Sequence, residues 1–171
     1  MGYALETQTR PIYSKKPGVA VVAHAVAHQW LGNAVTLRRW RDTWLNEGFA
    51  TYARWLWGEH LHGRTPAERF DDLYERRPAD DRHWRTPPGD PGAPHLCSSA
   101  VYWRGATTLQ ALREKVGDEA FFAILTTWVE VHDDGDATTL ELIDLAEDVS
   151  GQQLDLFFQT WLYEAVAPTD W

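Results

Sequence analysis

Three residues set the tightest limit on how this chain can fold: His24, His28 four positions on, and Glu47 after eighteen intervening residues. Residues four apart on an α-helix lie about 40° apart around the axis and one turn apart along it, so both imidazoles can face one point. The pattern from Val19 to Leu31 is helical, with Gly32 as a left-handed stop. Glu47 falls on a second predicted helix, from about Thr43 to Leu61. Two neutral imidazoles and one carboxylate make a three-ligand zinc set that leaves a fourth position for water. The intervening segment is long enough to bring the second helix across the first, and a cation would offset the cost of burying the glutamate. A purely structural zinc site would need a fourth protein ligand. His60, His62, His83, His95 and His132 are the candidates, and none stands at a motif-like spacing to the three.

The rest of the chain reads as helices with clear punctuation. Thr65, Pro66 and Glu68 form a capping pattern for a helix ending near Arg77, before Pro78. Thr138 and Glu141 repeat it for a helix over about Thr139–Val149. Further helices are expected at about Ser99–Val116, Asp118–Val131 and Asp155–Val166, with Gly117 and Gly151 as stops. Residues 1–17 and Ala34–Leu37 read as extended. Residues 78–96, with five prolines and two glycines, read as a long irregular loop. The first helix carries Val19, Val21, Val22 and Val26, so tertiary burial has to hold it. Phe121, Phe122, Leu125, Trp128 and Val129 recur at helical spacing and read as core.

Composition narrows the class. At 171 residues and 44% hydrophobic, the chain can bury a core of its own. A net charge of −9, with no basic run beyond Arg38-Arg39 and nearby Arg41, argues against a nucleic-acid partner. No apolar run is long enough to span a membrane, and the opening residues show no leader pattern. Cys97 is the only cysteine, which rules out an internal disulfide and slightly favours a cytoplasmic setting without excluding secretion. Ten tryptophans are unusually many; they read as core, as cleft walls or as surfaces for another domain.

At this point the sequence resembles a known family. Val21-Val22-Ala23-His24-Ala25-Val26-Ala27-His28-Gln29-Trp30-Leu31-Gly32-Asn33, followed by Trp44-Leu45-Asn46-Glu47-Gly48-Phe49-Ala50-Thr51-Tyr52, is similar to the gluzincin zinc aminopeptidases, the aminopeptidase N-like family. That family carries His-Glu-x-x-His, eighteen residues and then Glu. Tyr102-Trp103-Arg104-Gly105-Ala106 resembles its Tyr-x-x-Gly-Ala, and Tyr3-Ala4-Leu5-Glu6-Thr7 its Gly-Ala-Met-Glu-Asn, from which Tyr3, Leu5 and Thr7 depart. The resemblance implies that His24, His28 and Glu47 hold one zinc ion and that the Tyr102 hydroxyl stabilises the tetrahedral intermediate. It also implies that Glu6 receives the free amino group of a peptide paired alongside as an added strand.

One departure stands inside the zinc motif. The family's general-base glutamate is replaced by Ala25, whose methyl group cannot accept a proton. General acid–base catalysis is worth roughly 10²–10⁴-fold, so this form is expected to be inactive or nearly so. The alternative is a naturally silent zinc- and peptide-binding module. The implied fold is mainly α, a thermolysin-like catalytic-domain core with a short residual β segment at the N-terminus. Residues 1–171 are expected to form one such core, lacking the family's N-terminal β domain and C-terminal helical domain. The exposed edge and apolar patches left behind would invite self-association.

Overall fold

The computed structural model describes residues 3–78 and 81–169, so the first two of the opening residues read for a leader pattern lie outside the described residues. Seven α-helices are present among them: α1 (Val19–Ala27), α2 (Trp44–His60), α3 (Pro66–Glu75), α4 (Ser99–Val116), α5 (Asp118–His132), α6 (Thr139–Ser150) and α7 (Asp155–Phe158). Two short strand pairs complete the set. An antiparallel hairpin joins β1 (Ala4–Leu5) to β2 (Ile12–Tyr13), and a parallel pair joins β3 (Val35–Leu37) to β4 (Gly135–Ala137). The mainly helical class expected from sequence is what the chain adopts. No helix of the described residues is long and apolar enough to cross a membrane.

Local chemistry accounts for most element ends. Both predicted capping boxes form: Thr65 with Glu68 opens α3, and Thr138 with Glu141 opens α6. Gly151 takes φ +67° to close α6. Three ends differ from the sequence expectation. The first helix stops at Ala27 rather than Leu31. α3 stops at Glu75, and α7 passes after Phe158 into a wider π-helical stretch, Gln159–Tyr163, ending short of Val166. Strand β4 was not expected, because Gly135-Asp136-Ala137 has little strand propensity. Register with β3 holds it, together with Arg38, whose guanidinium donates to Asp136 at 2.7 Å and to Glu141 at 3.0 Å.

The core settles the tryptophans. Trp44, Trp55, Trp84, Trp128 and Trp161 are fully buried, whereas Trp30, Trp40 and Trp57 are exposed. α1 turns its small Ala25 and Ala27 inward against α2 and leaves Val19, Val21 and Val26 outside. α2 packs most extensively against α4, and the two backbones touch where Gly48 meets Gly105. A Cβ on either glycine would lie 2.9 Å from the other's Cα, so neither position has room for a side chain.

One residue before this contact, Arg104 is fully buried. Its guanidinium donates to the carbonyls of Trp84 (2.7 Å), Trp161 (2.8 Å), Thr160 (3.1 Å) and Glu164 (2.7 Å). Three of these acceptors close the π-helical segment, where the negative end of the helix dipole favours a cation. Burial lowers the guanidinium pKa to about 10, which still leaves it charged at neutral pH.

Two expectations follow. Gly105→Ala should destabilise the chain by about 1–3 kcal/mol, the usual cost of overpacking a closed contact, as read from urea unfolding. His83 is buried beside Trp84, and burial first, then Arg77 and Arg104, lower its pKa to about 4. The unfolded imidazole takes up a proton near pH 6.5, but the folded one resists until about pH 4. Stability should therefore fall by about 3 kcal/mol as pH drops across that window. His83→Leu should flatten that slope in unfolding measured at several pH values.

Candidate metal centre

The site is built where the end of α1 meets the first turn of α2. His28 directly follows α1 and keeps helical angles (φ −62°, ψ −15°), so it remains one turn beyond His24. The chain then tightens, with Gln29 N–H donating to Val26 O at 3.0 Å and Trp30 N–H to Ala27 O at 3.1 Å. It wraps back as Asn33 N–H donates to His28 O at 2.9 Å. This wrap is why the helix ends four residues earlier than its apolar pattern suggests. Gly32 makes it possible: its φ is +143°, and a Cβ there would sit 3.1 Å from His28 Nδ1.

Second contacts fix the chemistry of the ligating atoms. His28 Nδ1 lies 3.0 Å from Leu31 O. A carbonyl only accepts, so Nδ1 carries the proton and Nε2 presents its lone pair inward. Glu47 is set by the start of α2, which a buried network pins. Trp44 Nε1 donates to Thr139 Oγ1 at 2.9 Å, and that hydroxyl donates to Asp42 at 2.6 Å.

The three inward atoms form a compact triangle. His24 Nε2 and His28 Nε2 are 3.1 Å apart, and Glu47 Oε2 is 3.2 Å from the first and 3.5 Å from the second. Ligands about 2.0–2.1 Å from a tetrahedral zinc ion stand about 3.3–3.4 Å from one another, so the triangle matches. Glu47 Oε2 is buried and makes no directional hydrogen bond to either ring despite its proximity. A buried carboxylate oxygen and two imidazole nitrogens converging on one point are what a cation requires. The donor set therefore fits zinc.

The electrostatics agree. Burial pushes the Glu47 carboxyl up, but the two imidazoles outweigh it and hold the group at about 2. Burial lowers His28, and Glu47 more than reverses this, leaving its pKa above the usual histidine value. Tyr102, on α4, lays its ring nearly parallel to that of His24, with centroids 6.0 Å apart. Burial and then the Glu47 charge raise its phenol pKa, so the hydroxyl stays protonated as a donor. Glu6, just past β1, brings a carboxylate oxygen within 4.8 Å of a ring nitrogen of each histidine, and its carbonyl accepts from Asn33 Nδ2 at 3.4 Å. Ala25 is fully buried on the inner side of α1.

All five sequence candidates thus come together around one point: Glu6, His24, His28, Glu47 and Tyr102. Among the described residues, none of His60, His62, His83, His95 or His132 joins a group of three metal-capable side chains. His60 stacks on Trp57, and His132 on Trp128. In the sequence Gly32 reads only as a helix stop and Gly105 only as part of the Tyr102 motif, and nothing there points to the Leu31 carbonyl. Gly105 stands three residues after Tyr102 in the sequence, but its purpose depends on the facing helix.

Residues 3–161 match the Peptidase family M1 domain. Aminopeptidase M1-D of Oryza sativa subsp. japonica is 32% identical over 93% of this chain, which spans only 19% of that protein. Aminopeptidase N of Lactococcus lactis subsp. lactis is 28% identical over 97% of this chain and 21% of its own length. Among solved structures, the M1 zinc metallopeptidase of Deinococcus radiodurans is 31% identical, with a TM-score of 0.82 over 99% of this chain and 39% of that one. A glutamate-to-alanine mutant of a Deinococcus radiodurans M1 zinc metallopeptidase, bound to a Tyr-Ser-Ala substrate, is 32% identical with a TM-score of 0.79, covering 98% of this chain and 39% of that one.

Zinc should stabilise the folded chain by about 2.7 kcal/mol when free metal exceeds its Kd by about 100-fold. Thermal unfolding with and without zinc reads this, and His28→Ala should abolish the shift. Equal zinc in the two purified proteins would overturn the assignment of His28 as a ligand.

Proposed function

This chain belongs to peptidase family M1, a family of zinc aminopeptidases, and on that premise we propose that it forms an aminopeptidase core whose proton-transfer residue is missing at Ala25. The observation that carries the reading is the triangle of 3.1, 3.2 and 3.5 Å among His24, His28 and Glu47, with Tyr102 and Glu6 beside it. We assign one zinc ion to the three. When bound, zinc would polarise a scissile carbonyl and activate the attacking water.

The remaining roles fall to side chains. The Tyr102 hydroxyl, kept protonated by its surroundings, donates to the oxygen that gains charge as the carbonyl is attacked. Glu6 receives the positive amino end of the peptide, which sets the register so that the first peptide bond reaches the metal. Short peptides with a free amino end are the substrate class this implies, in line with the tripeptide held by the Deinococcus mutant. A group at position 25, about 100° around α1 from His24, is placed to take a proton from the attacking water and deliver it to the leaving amine. The Ala25 methyl does neither, so the chain binds peptide and turns it over slowly or not at all.

Ala25→Glu should raise hydrolysis of aminoacyl anilides by at least about 10²-fold. Because position 25 is fully buried, zinc content and unfolding of the variant have to be measured alongside. In that background Glu6→Ala should abolish the preference for free over acetylated amino ends. A folded, zinc-loaded Ala25→Glu chain that binds peptide but hydrolyses no faster would refute the mechanism and favour a silent peptide-binding module.

A further inference from the structure

Two turns of α2 beyond Glu47, about 10 Å along the axis, a second cavity opens away from the metal centre. It holds about 430 Å³ and lies between the start of α1, the second half of α2 and Trp103 of α4. Its walls are apolar: the indoles of Trp55, Trp57 and Trp103, with Leu61. Its polar side chains are all donors. The Arg54 guanidinium lies 4.9 Å from the centroid of Trp103 and makes no ion pair among the described residues. Arg69 reaches in from α3, its Nε donating to Arg64 O at 3.3 Å, and it too has no carboxylate partner among them. Gly58 makes the space for it, since a Cβ there would lie 3.1 Å from Arg69 Nη2. Trp55, 1% exposed, keeps its indole N–H buried without an acceptor.

That arrangement is costly unless something answers it. Burial, then the nearby Arg69 charge, lowers the Arg54 pKa. Acids outnumber bases by 25 to 16 in this chain, yet none lines the cavity. Two unpaired guanidiniums and an orphaned N–H within indole walls lack one thing, an acceptor carrying negative charge. α1 also begins at this rim, and its cap, Gly18, offers no side-chain acceptor to the first-turn N–H groups. Planar guanidiniums favour a carboxylate, which they grip in pairs of parallel hydrogen bonds, and the indoles favour an apolar body behind it.

We propose that this cavity binds an organic carboxylate with an aromatic or aliphatic body, independently of the metal centre. Calorimetric titration of the zinc-loaded chain with N-acetylphenylalanine, its neutral amide, acetate and inorganic phosphate tests it. One site should saturate with N-acetylphenylalanine, and the amide should bind at least about tenfold more weakly, the effect of losing a charge-assisted pair. Acetate and phosphate should also be weaker, since they lack the apolar body. Arg54→Met keeps the aliphatic stem and should lose about tenfold, while His28→Ala should bind as the parent does. Should Arg54→Met fail to fold, Arg69→Gln takes its place with the same expected loss. Equal binding of the amide, undiminished binding by a folded arginine variant, or loss of binding in His28→Ala would overturn the proposal. So would acetate or phosphate binding as tightly as N-acetylphenylalanine.

Discussion

The contact between Gly48 and Gly105 governs the rest of the structure. Helices usually keep 8–10 Å between axes because side chains stand between them, and the two glycines remove that spacer. The contact sits one residue from Glu47 and one turn from Tyr102. Close approach therefore delivers the Glu47 carboxylate and the Tyr102 hydroxyl to the same point from two helices. Ala25 and Ala27 give α1 a similarly small inner face, and the histidines arrive from that side. The centre stands on helices held near one another by what their residues lack.

The polar groups that hold this arrangement are buried and few. Asp42, Thr139 and the indole of Trp44 tie the start of α2 to the start of α6. Arg104 ties α4 to the closing segment through three backbone carbonyls and to Trp84 through a fourth. Each is satisfied, and each lies behind the reactive residues rather than among them. In the metal centre and the arginine cavity the balance is reversed, because convergent groups there wait for a partner from outside. Buried polar atoms without a partner also occur at Gln29, Trp84 and Ser98, and what sets these two places apart is that several such groups converge in each.

Much of this was legible before any fold was known. The spacing of His24, His28 and Glu47 carried the site, because ligand geometry depends on helical pitch, which sequence reports directly. Thr65 with Glu68, and Thr138 with Glu141, announced two helix starts for the same reason: capping is local. What was not legible depended on distant partners. Gly135-Asp136-Ala137 becomes a strand only because Val35–Leu37 lies beside it, and α1 ends early only because the chain folds back on His28. The cavity beside Arg54 was invisible since its walls come from four helices, with Arg69 on one and Arg54 and Gly58 on another.

Tyr102, Arg104 and Gly105 lie within four residues on α4: Tyr102 and Gly105 stand about 60° apart around the axis, and Arg104 about 100° from Gly105 and about 160° from Tyr102. One faces the metal centre, one grips the closing segment, and one abuts α2. The helix is therefore indexed like a cam, with a single angular setting that suits all three. A twist of even a few tens of degrees would lift the phenol, unseat the guanidinium and jam the crossing together. The phase of this helix is fixed, and the geometry at the candidate metal centre inherits its sharpness from a part that is unable to turn.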